Sequence, residues 1–334
     1  MVLKLQEGLL NLIETILKGG SLSKTYIFNN GKKKFVRKEI SLEYNREYGF
    51  VRWYSQLKKT QKMNSQFPDL FPEILNSGIT NVNVAFYDIP YYHNHKDIKT
   101  ILQNSSLTNK NIIEIATNLY ESLAKIHSLK INTYPGLLKI YFKEEIEKKL
   151  NDALENNNFK KFVEHDIFFL NDKKVQNILK RFDEIKIYFN NSSYKKECLI
   201  HGNPTLENIL YSTEKNSVKF IDLYEESIVD LAELDLSMVL QCSNSHYGII
   251  NDNKVNVNKN ICSFSTPISD NFKVFNDTFI SFFKKDNFDY KLIKFFEASQ
   301  FIRMLPFKIA AGQIDKAKFF YVYASNLFQR ALDL

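Results

Sequence analysis

Residues 199–210, LIHGNPTLENIL, and residues 218–222, VKFID, decide how this chain is read. Both are apolar, strand-like runs joined by a turn-rich segment, and each delivers polar groups where its apolar run ends. Phosphoryl transfer from a nucleotide needs a group that orients or deprotonates the acceptor. It also needs an oxygen-rich pair to hold Mg2+ against the phosphates. Asn208 and Asp222 are candidates for that pair.

Working outward, the chain has few breakpoints, with 10 glycines and 7 prolines in 334 residues. Leu5, Leu9, Leu12, Ile13, Ile16 and Leu17 recur at helical spacing, so the pattern predicts a helix over residues 1–18, stopped by Gly19-Gly20. Two β-rich runs then flank Asn29-Asn30-Gly31, a hairpin signal. A helix is expected over about 42–58, then a short strand near 73–77 and another ending at Asp88. Beyond Pro90 the pattern turns helical, over about 112–128, 140–156, 173–190, 230–242 and 270–331, with only 197–224 β-like. These expectations divide the chain into a small N-terminal lobe, 1–90, and a larger, mostly helical lobe, 91–334, an α+β class.

The segment 201–222 resembles the aminoglycoside phosphotransferase and choline kinase superfamily, whose fold is two-lobed and protein-kinase-like. That family's catalytic loop reads His-Gly-Asp, four residues, then Asn, with a strand ending in Ile-Asp further on. His201-Gly202-Asn203, Asn208 and Ile221-Asp222 match in order and spacing, but Asn203 stands where the family has its catalytic aspartate.

The resemblance implies roles elsewhere. Gly19-Gly20-Ser21-Leu22-Ser23, followed by a strand, looks like the turn that covers the nucleotide phosphates, with Ser21 among its phosphate-binding residues. Phe35-Val36-Arg37-Lys38 resembles the strand presenting the phosphate-binding lysine. Alternation puts Lys38 on the face of Val36, with Arg37 the competitor if the register slips by one. Glu47, on the following helix, is placed to orient that lysine. Asp88, Ile89 and Tyr91 fall in the hinge whose backbone would meet an adenine edge. His127 ends a Leu-x-x-x-His helix, and Asp235 is placed to brace the catalytic loop while Asp230 caps a helix. Arg303 lies where the family builds its acceptor pocket, either facing an anionic group of the acceptor or anchoring a helix contact.

The implied activity is transfer of the γ-phosphoryl group of ATP or GTP, with Mg2+ on Asn208 and Asp222, to a hydroxyl of a sugar-like or amino-alcohol metabolite. Surface-polysaccharide precursor metabolism is one such setting. Asparagine is nearly isosteric with aspartate but cannot take a proton. Three readings of Asn203 therefore follow: a deliberate replacement that traps a complex, a naturally slow kinase, or a nucleotide-binding pseudokinase acting as a regulator or scaffold.

Composition narrows the rest. A net charge of +7 could suit nucleic acid, but the basic residues are interleaved with acids, and only residues 31–39, GKKKFVRKE, cluster. No zinc-finger, RRM or helix-turn-helix pattern accompanies them, so no nucleic-acid partner is expected. No apolar run reaches about 18 residues, so no membrane span is expected. The N-terminal segment lacks a signal-peptide cleavage site, so the cytoplasm is the expected location. Cys198, Cys242 and Cys262 form no pairing pattern and read as buried apolar residues. No G-x-S-x-G occurs, and the six histidines offer only His93-x-His95 at ligand spacing. The 18 tyrosines and 28 phenylalanines leave the acceptor's identity open.

Overall fold

The structure is a computed structural model that describes residues 3–6, 9–17, 23–29, 31, 33–42, 46–104, 106–131, 136–192, 197–224 and 227–334; for 3–6, 9–14 and 46–48 it describes the backbone alone. The elements begin with β1 (Leu3–Gln6), β2 (Leu9–Leu17), β3 (Ser23–Asn29), β4 (Lys34–Ser41), α1 (Arg46–Gln66), β5 (Asn76–Ile79), β6 (Val84–Pro90) and β7 (Lys96–Asp97). There follow α2 (Ile98–Leu102), α3 (Asn109–His127), α4 (Leu137–Tyr141), a π-helical turn (Phe142–Glu147), α5 (Lys148–Leu154), α6 (Asn157–Val163), β8 (Ile167–Leu170) and β9 (Lys173–Gln176). Next are α7 (Phe182–Asn191), β10 (Ile209–Ser212), β11 (Ser217–Phe220), α8 (Ala232–Ser243), α9 (Tyr247–Asp252), β12 (Asn256–Asn258) and β13 (Ile261–Ser263). The chain closes with α10 (Asn271–Lys285), α11 (Tyr290–Arg303), α12 (Leu305–Ala310) and α13 (Ile314–Leu332).

The chain forms two compact units. The first joins Met1–Asp97 to Asn208–Glu226, and the second joins Ile98–Glu207 to Ser227–Leu334. The first unit holds an antiparallel six-stranded sheet, order β1-β2-β3-β4-β6-β5, and a three-stranded sheet, order β11-β10-β7. Gly31 makes the β3–β4 hairpin feasible: its φ is +80°, and its N–H donates to the Asn29 side-chain oxygen at 2.9 Å. Glycine enters that left-handed region without a Cβ clash. The register that follows, Asn29 opposite Lys34 through Ser23 opposite Ile40, fixes which β4 residues share a face. Phe35, Arg37 and Glu39 lie on one face, Val36, Lys38 and Ile40 on the other. On the second face Ile40 and Leu42 pack with Trp53 and Leu57 of α1 and Ala85 and Tyr87 of β6.

The expected N-terminal helix is not formed: β1 and β2 are strands, and β2 pairs with β3 from Leu12 opposite Asn29 to Leu17 opposite Thr25. An irregularity between Ile13 and Thr15 breaks the two-residue alternation, so the apolar spacing imitates a helical one. Pairing with β3 supplies the hydrogen-bond partners that decide the matter. Gly19, Gly20 and Ser21 lie outside the described residues.

The second unit is mostly helical. Along α3, Ile112, Ile115, Leu119, Leu123 and Ile126 form one fully buried stripe, and the N-cap Thr108 makes a reciprocal capping box with Asn111. The stripe packs with α10, while α11 packs between α8 and α13 in an aromatic core that includes Phe295, Phe296, Phe301, Phe320 and Phe328. The helical expectation over 173–190 is corrected at its start, where Lys173–Gln176 is a strand. With β8, β12 and β13 it makes a four-stranded sheet, order β12-β13-β8-β9. Strands of three or four residues carry too short an alternation to be seen in sequence.

Candidate active site

In the first unit, β4 presents Lys38 on the face shared with Ile40, and its ammonium contacts Oδ1 of Asp222. The β10–β11 hairpin explains how Asp222 arrives there. Ile209 pairs with Phe220, and the Ile221 N–H donates to the Asn208 carbonyl at 3.0 Å, so Asn208 and Asp222 flank the same end of one hairpin. Asp222 adopts φ +56°, a left-handed conformation that aspartate tolerates better than most residues. Gln56 of α1 holds the carboxylate from another side: its Nε2 donates to Asp222 Oδ1 at 3.0 Å and to the Leu223 carbonyl at 2.7 Å. Tyr87 of β6 donates its hydroxyl to Gln56 Oε1 at 2.9 Å.

The electrostatics follow from this packing. Burial, the largest effect, would lower the Lys38 pKa, but the charge and hydrogen bond of Asp222 together with Tyr87 outweigh it, and the net shift is upward. Lys38 is therefore a fixed cation at neutral pH. Its side chain is 19% exposed and that of Asp222 is 37% exposed, so the pair is reachable from solvent. The Asp222 carboxylate, and the Asn208 side chain on the residue at the same hairpin end, are of the hard-oxygen type that a cation such as Mg2+ takes. Among the described residues no group of three or more His, Cys, Asp or Glu side chains could form an all-protein metal cage.

Glu47 lies on α1, but its side chain is outside the described residues. Arg37 takes the opposite face of β4 and pairs with Asp88, Nε to Oδ1 at 2.7 Å and Nη2 to Oδ2 at 2.8 Å. Asp88 thus has its carboxylate in a buried ion pair, and its carbonyl accepts the Leu75 N–H at 2.8 Å. Ile89 stands opposite Val36 in the β4–β6 ladder. The Tyr91 ring meets His93 edge-on at 4.8 Å between centroids. His95 Nε2 lies 3.2 Å from the Ser217 hydroxyl.

In the second unit, residues 201–203 hang from one buried carboxylate. Asp235 of α8 accepts the backbone N–H groups of His201 and Gly202, each at 2.8 Å, and lies 3.0 Å from His127 Nε2. Burial pushes the Asp235 carboxyl up, but the hydrogen bond and charge of His127, aided by His201, bring its pKa below the usual value. Gly202 turns through φ +88°, and the Asn203 N–H then donates to His201 Nδ1 at 3.1 Å. Asp235 braces the loop as its position in sequence suggests. The N-cap residue of α8 is Leu231 rather than Asp230, and it has no side-chain cap; the Asp230 carbonyl accepts the Cys198 N–H at 2.9 Å.

Arg303, at the end of α11, donates Nε to Glu145 at 2.6 Å and Nη1 to Gln300 at 2.7 Å. It ties α11 to the π-helical turn. The structure therefore brings Lys38, Asn208 and Asp222 together in one unit and groups Asn203 with Asp235 and His127 in the other. Sequence reasoning missed Gln56 and Tyr87, since a single glutamine on a polar helix and one tyrosine among 18 carry no motif.

Neither a protein-family model nor a curated protein matches this sequence significantly. Solved structures do match. A thermostable mutant of the aminoglycoside phosphotransferase APH(4)-Ia, without ligands, superposes with a TM-score of 0.59 at 9% identity, over 96% of this chain and 95% of that one. A ternary complex of a further variant of that enzyme with AMP-PNP and hygromycin B gives 0.60 at 9% identity, over 95% and 94%. A protein described as a fructosamine-3-kinase, from Haemophilus somnus 129PT, gives 0.50 at 11% identity, over 97% and 92%. This chain accordingly has the two-lobed, protein-kinase-like fold of the aminoglycoside phosphotransferases.

Proposed function

We propose that this chain is a Mg2+-dependent small-molecule kinase that uses ATP or GTP to phosphorylate a hydroxyl of a sugar-like or amino-alcohol acceptor, with turnover attenuated by Asn203. The observation that carries the reading is the meeting of Lys38 and Asp222, 184 residues apart, with Asn208 at the same hairpin end. A phosphate-binding cation and two hard oxygen donors are the minimum that holding a nucleoside triphosphate requires. The ternary complex of the aminoglycoside phosphotransferase, which contains a nucleotide analogue and a small-molecule acceptor, supports the same reading.

In this reading Lys38 holds the α- and β-phosphates, and Gln56 keeps Asp222 oriented toward them. Asp222 and Asn208 would hold Mg2+, which when bound offsets the charge on the phosphate oxygens. The backbone of Asn203 is set by Asp235 and His201 through the loop. Its side-chain oxygen can accept a hydrogen bond from the acceptor hydroxyl and orient it, but cannot take the proton. General-base catalysis is worth about 10²–10⁴-fold, so binding survives while turnover falls by that order. The expected setting is the cytoplasm; among the described residues no helix is long and apolar enough to cross a membrane.

Titration calorimetry with Mg·ATP and Mg·GTP tests the reading. The unaltered protein should bind at least one of them, and Lys38→Met or Asp222→Asn should remove the binding. No binding of either nucleotide would end the proposal. Asn203 also favours a second reading, a nucleotide-binding pseudokinase with a regulatory or scaffold role. It shares the binding result but predicts no turnover when Asn203 is changed to Asp.

A further inference from the structure

Glu207 ends the loop that runs from His201 past Asn203, the acceptor loop, and is not part of the machinery described so far, yet three helices of the second unit, α2, α8 and α9, converge on it. Glu207 Oε1 accepts from Lys99 Nζ of α2 at 3.0 Å, and Oε2 accepts from the Cys242 thiol of α8 at 3.6 Å. Lys99 Nζ also donates to Asp252 Oδ2, at the end of α9, at 2.8 Å. Burial would lower the Lys99 pKa, but Glu207 and Asp252 raise it to about 12, so the bridge stays charged. Its side chain is only 16% exposed.

Gly248 of α9 shows that the space is kept open for this contact. A Cβ at position 248 would sit 2.1 Å from Glu207 Oε1 and 3.0 Å from Lys99 Nζ. Both atoms are the ends of flexible side chains, so a methyl group there would push the carboxylate aside without forcing the backbone. The Lys99 N–H also points to the Leu206 carbonyl, at 3.4 Å.

We infer that Lys99, through Glu207, is a positioning residue that fixes the far end of the acceptor loop, as Asp235 fixes its near end. Residue 203 lies between the two anchors, so its placement toward an acceptor depends on both. Asp235 holds the backbone of His201 and Gly202 directly, whereas Lys99 acts through a side chain and ties the loop to α2 and α9. The inference rests on the kinase reading. A loop residue displaced by about 1 Å can cost up to about 10²-fold in rate.

The test uses the full chain carrying Asn203→Asp and reads Mg·ATP hydrolysis, with water as acceptor, so that no acceptor has to be known. Lys99→Met, Glu207→Gln and Gly248→Ala are each added to that background, together with the Lys99→Met, Glu207→Gln pair. Each single change should lower kcat about tenfold or more while KM for ATP stays within about twofold. The pair should cost no more than either alone, since both break one contact. Gly248→Ala, which leaves both charges in place, guards against a variant that fails to fold. A kcat unchanged in Lys99→Met and Gly248→Ala overturns the inference and leaves the kinase reading standing. A proportional loss of kcat and melting temperature with additive effects also overturns it, as a structural role. If Asn203→Asp alone turns over no ATP, either with water or with any of a panel of sugars, amino alcohols and aminoglycosides, the kinase reading fails and this inference fails with it.

Discussion

Removing Arg37 while Asp88 remains should cost the first unit more than removing both. The pair is bidentate, at 2.7 and 2.8 Å, and the two side chains are 5% and 4% exposed. The guanidinium lies between rings, with its carbon 4.1 Å from the Phe86 centroid and 5.2 Å from that of Phe28. Two charge-assisted bonds at about 1.5–3 kcal/mol each give about 3–6 kcal/mol for Arg37→Met. That agrees with the roughly 3–5 kcal/mol expected when one partner of a buried pair is removed.

Burial pushes the Asp88 carboxyl above its ordinary pKa, and Arg37 recovers only part of that shift. The folded value thus exceeds the unfolded one, so the stability linked to this group is full below the unfolded pKa and declines as pH rises through the folded value. At neutral pH the ionised carboxylate is a net burden that the pair only partly offsets. The Arg37→Met, Asp88→Leu double variant should therefore be more stable than Arg37→Met alone. Arg37→Met should also recover stability as pH falls through the raised folded pKa of Asp88, where the buried carboxyl takes a proton.

The chain's single tryptophan makes the assay specific. Trp53 is buried against Ile40, Leu42 and Tyr87, so its fluorescence follows the first unit. With a urea m-value of about 2 kcal/mol/M, a loss of about 3 kcal/mol moves the midpoint by about 1.5 M. A double variant whose loss equals the sum of the two single losses would show the opposite, because additivity would mean that the two groups stabilise independently.

Asp235→Asn should destabilise the second unit by about 2–4 kcal/mol, since it unsettles two loop N–H groups and His127 at once, and circular dichroism melts would measure it. Because the folded Asp235 pKa lies below the usual value, its contribution is present above the unfolded pKa near 4 and vanishes as pH falls through the lower folded value. The penalty of Asp235→Asn should accordingly shrink toward pH 3, and a penalty constant from pH 3 to 7 would contradict that. All three cysteines are free and buried, and burial raises their thiol pKa values. Ellman's reagent should label none of them in the folded protein and three after unfolding; rapid labelling of any one would contradict the packing. Gly31→Ala should cost about 1 kcal/mol through its positive φ alone, since open space surrounds a Cβ there, and a shift in the Trp53 transition would report it.

The legible parts of the fold are those in which short-range chemistry and long-range contact agree. Asn29 to Gly31 mark a hairpin because Gly31 alone must adopt φ +80°, a local requirement. The α3 stripe is visible because 19 residues of regular spacing bury one face. Residues 9–17 imitate a helix in sequence because an irregular strand copies helical spacing, and only the β3 partner distinguishes the two. At the site, His201 to Asp222 could be read from spacing along one continuous segment. The Asp235 brace was foreseen, but the contacts of Lys38 with Asp222, Gln56 with Tyr87 and Lys99 with Glu207 join side chains 184, 31 and 108 residues apart. Nothing local encodes such meetings. Arg37 and Lys38, adjacent in sequence, show the same limit: strand alternation separates them onto two faces, but only the structure shows that Asp88 claims the first and Asp222 the second.

The proposed kinase activity turns on Asn203 standing where a proton acceptor is needed, and changing Asn203 to Asp measures that directly. Phosphoryl transfer from γ-labelled Mg·ATP to a panel of sugars, amino alcohols and aminoglycosides would be compared between the unaltered chain and the Asn203→Asp variant at equal nucleotide saturation. The account predicts acceptor-dependent product with at least one compound and a gain of about 10²–10⁴-fold in the variant. Nucleotide binding with no acceptor-dependent product from either protein would contradict it.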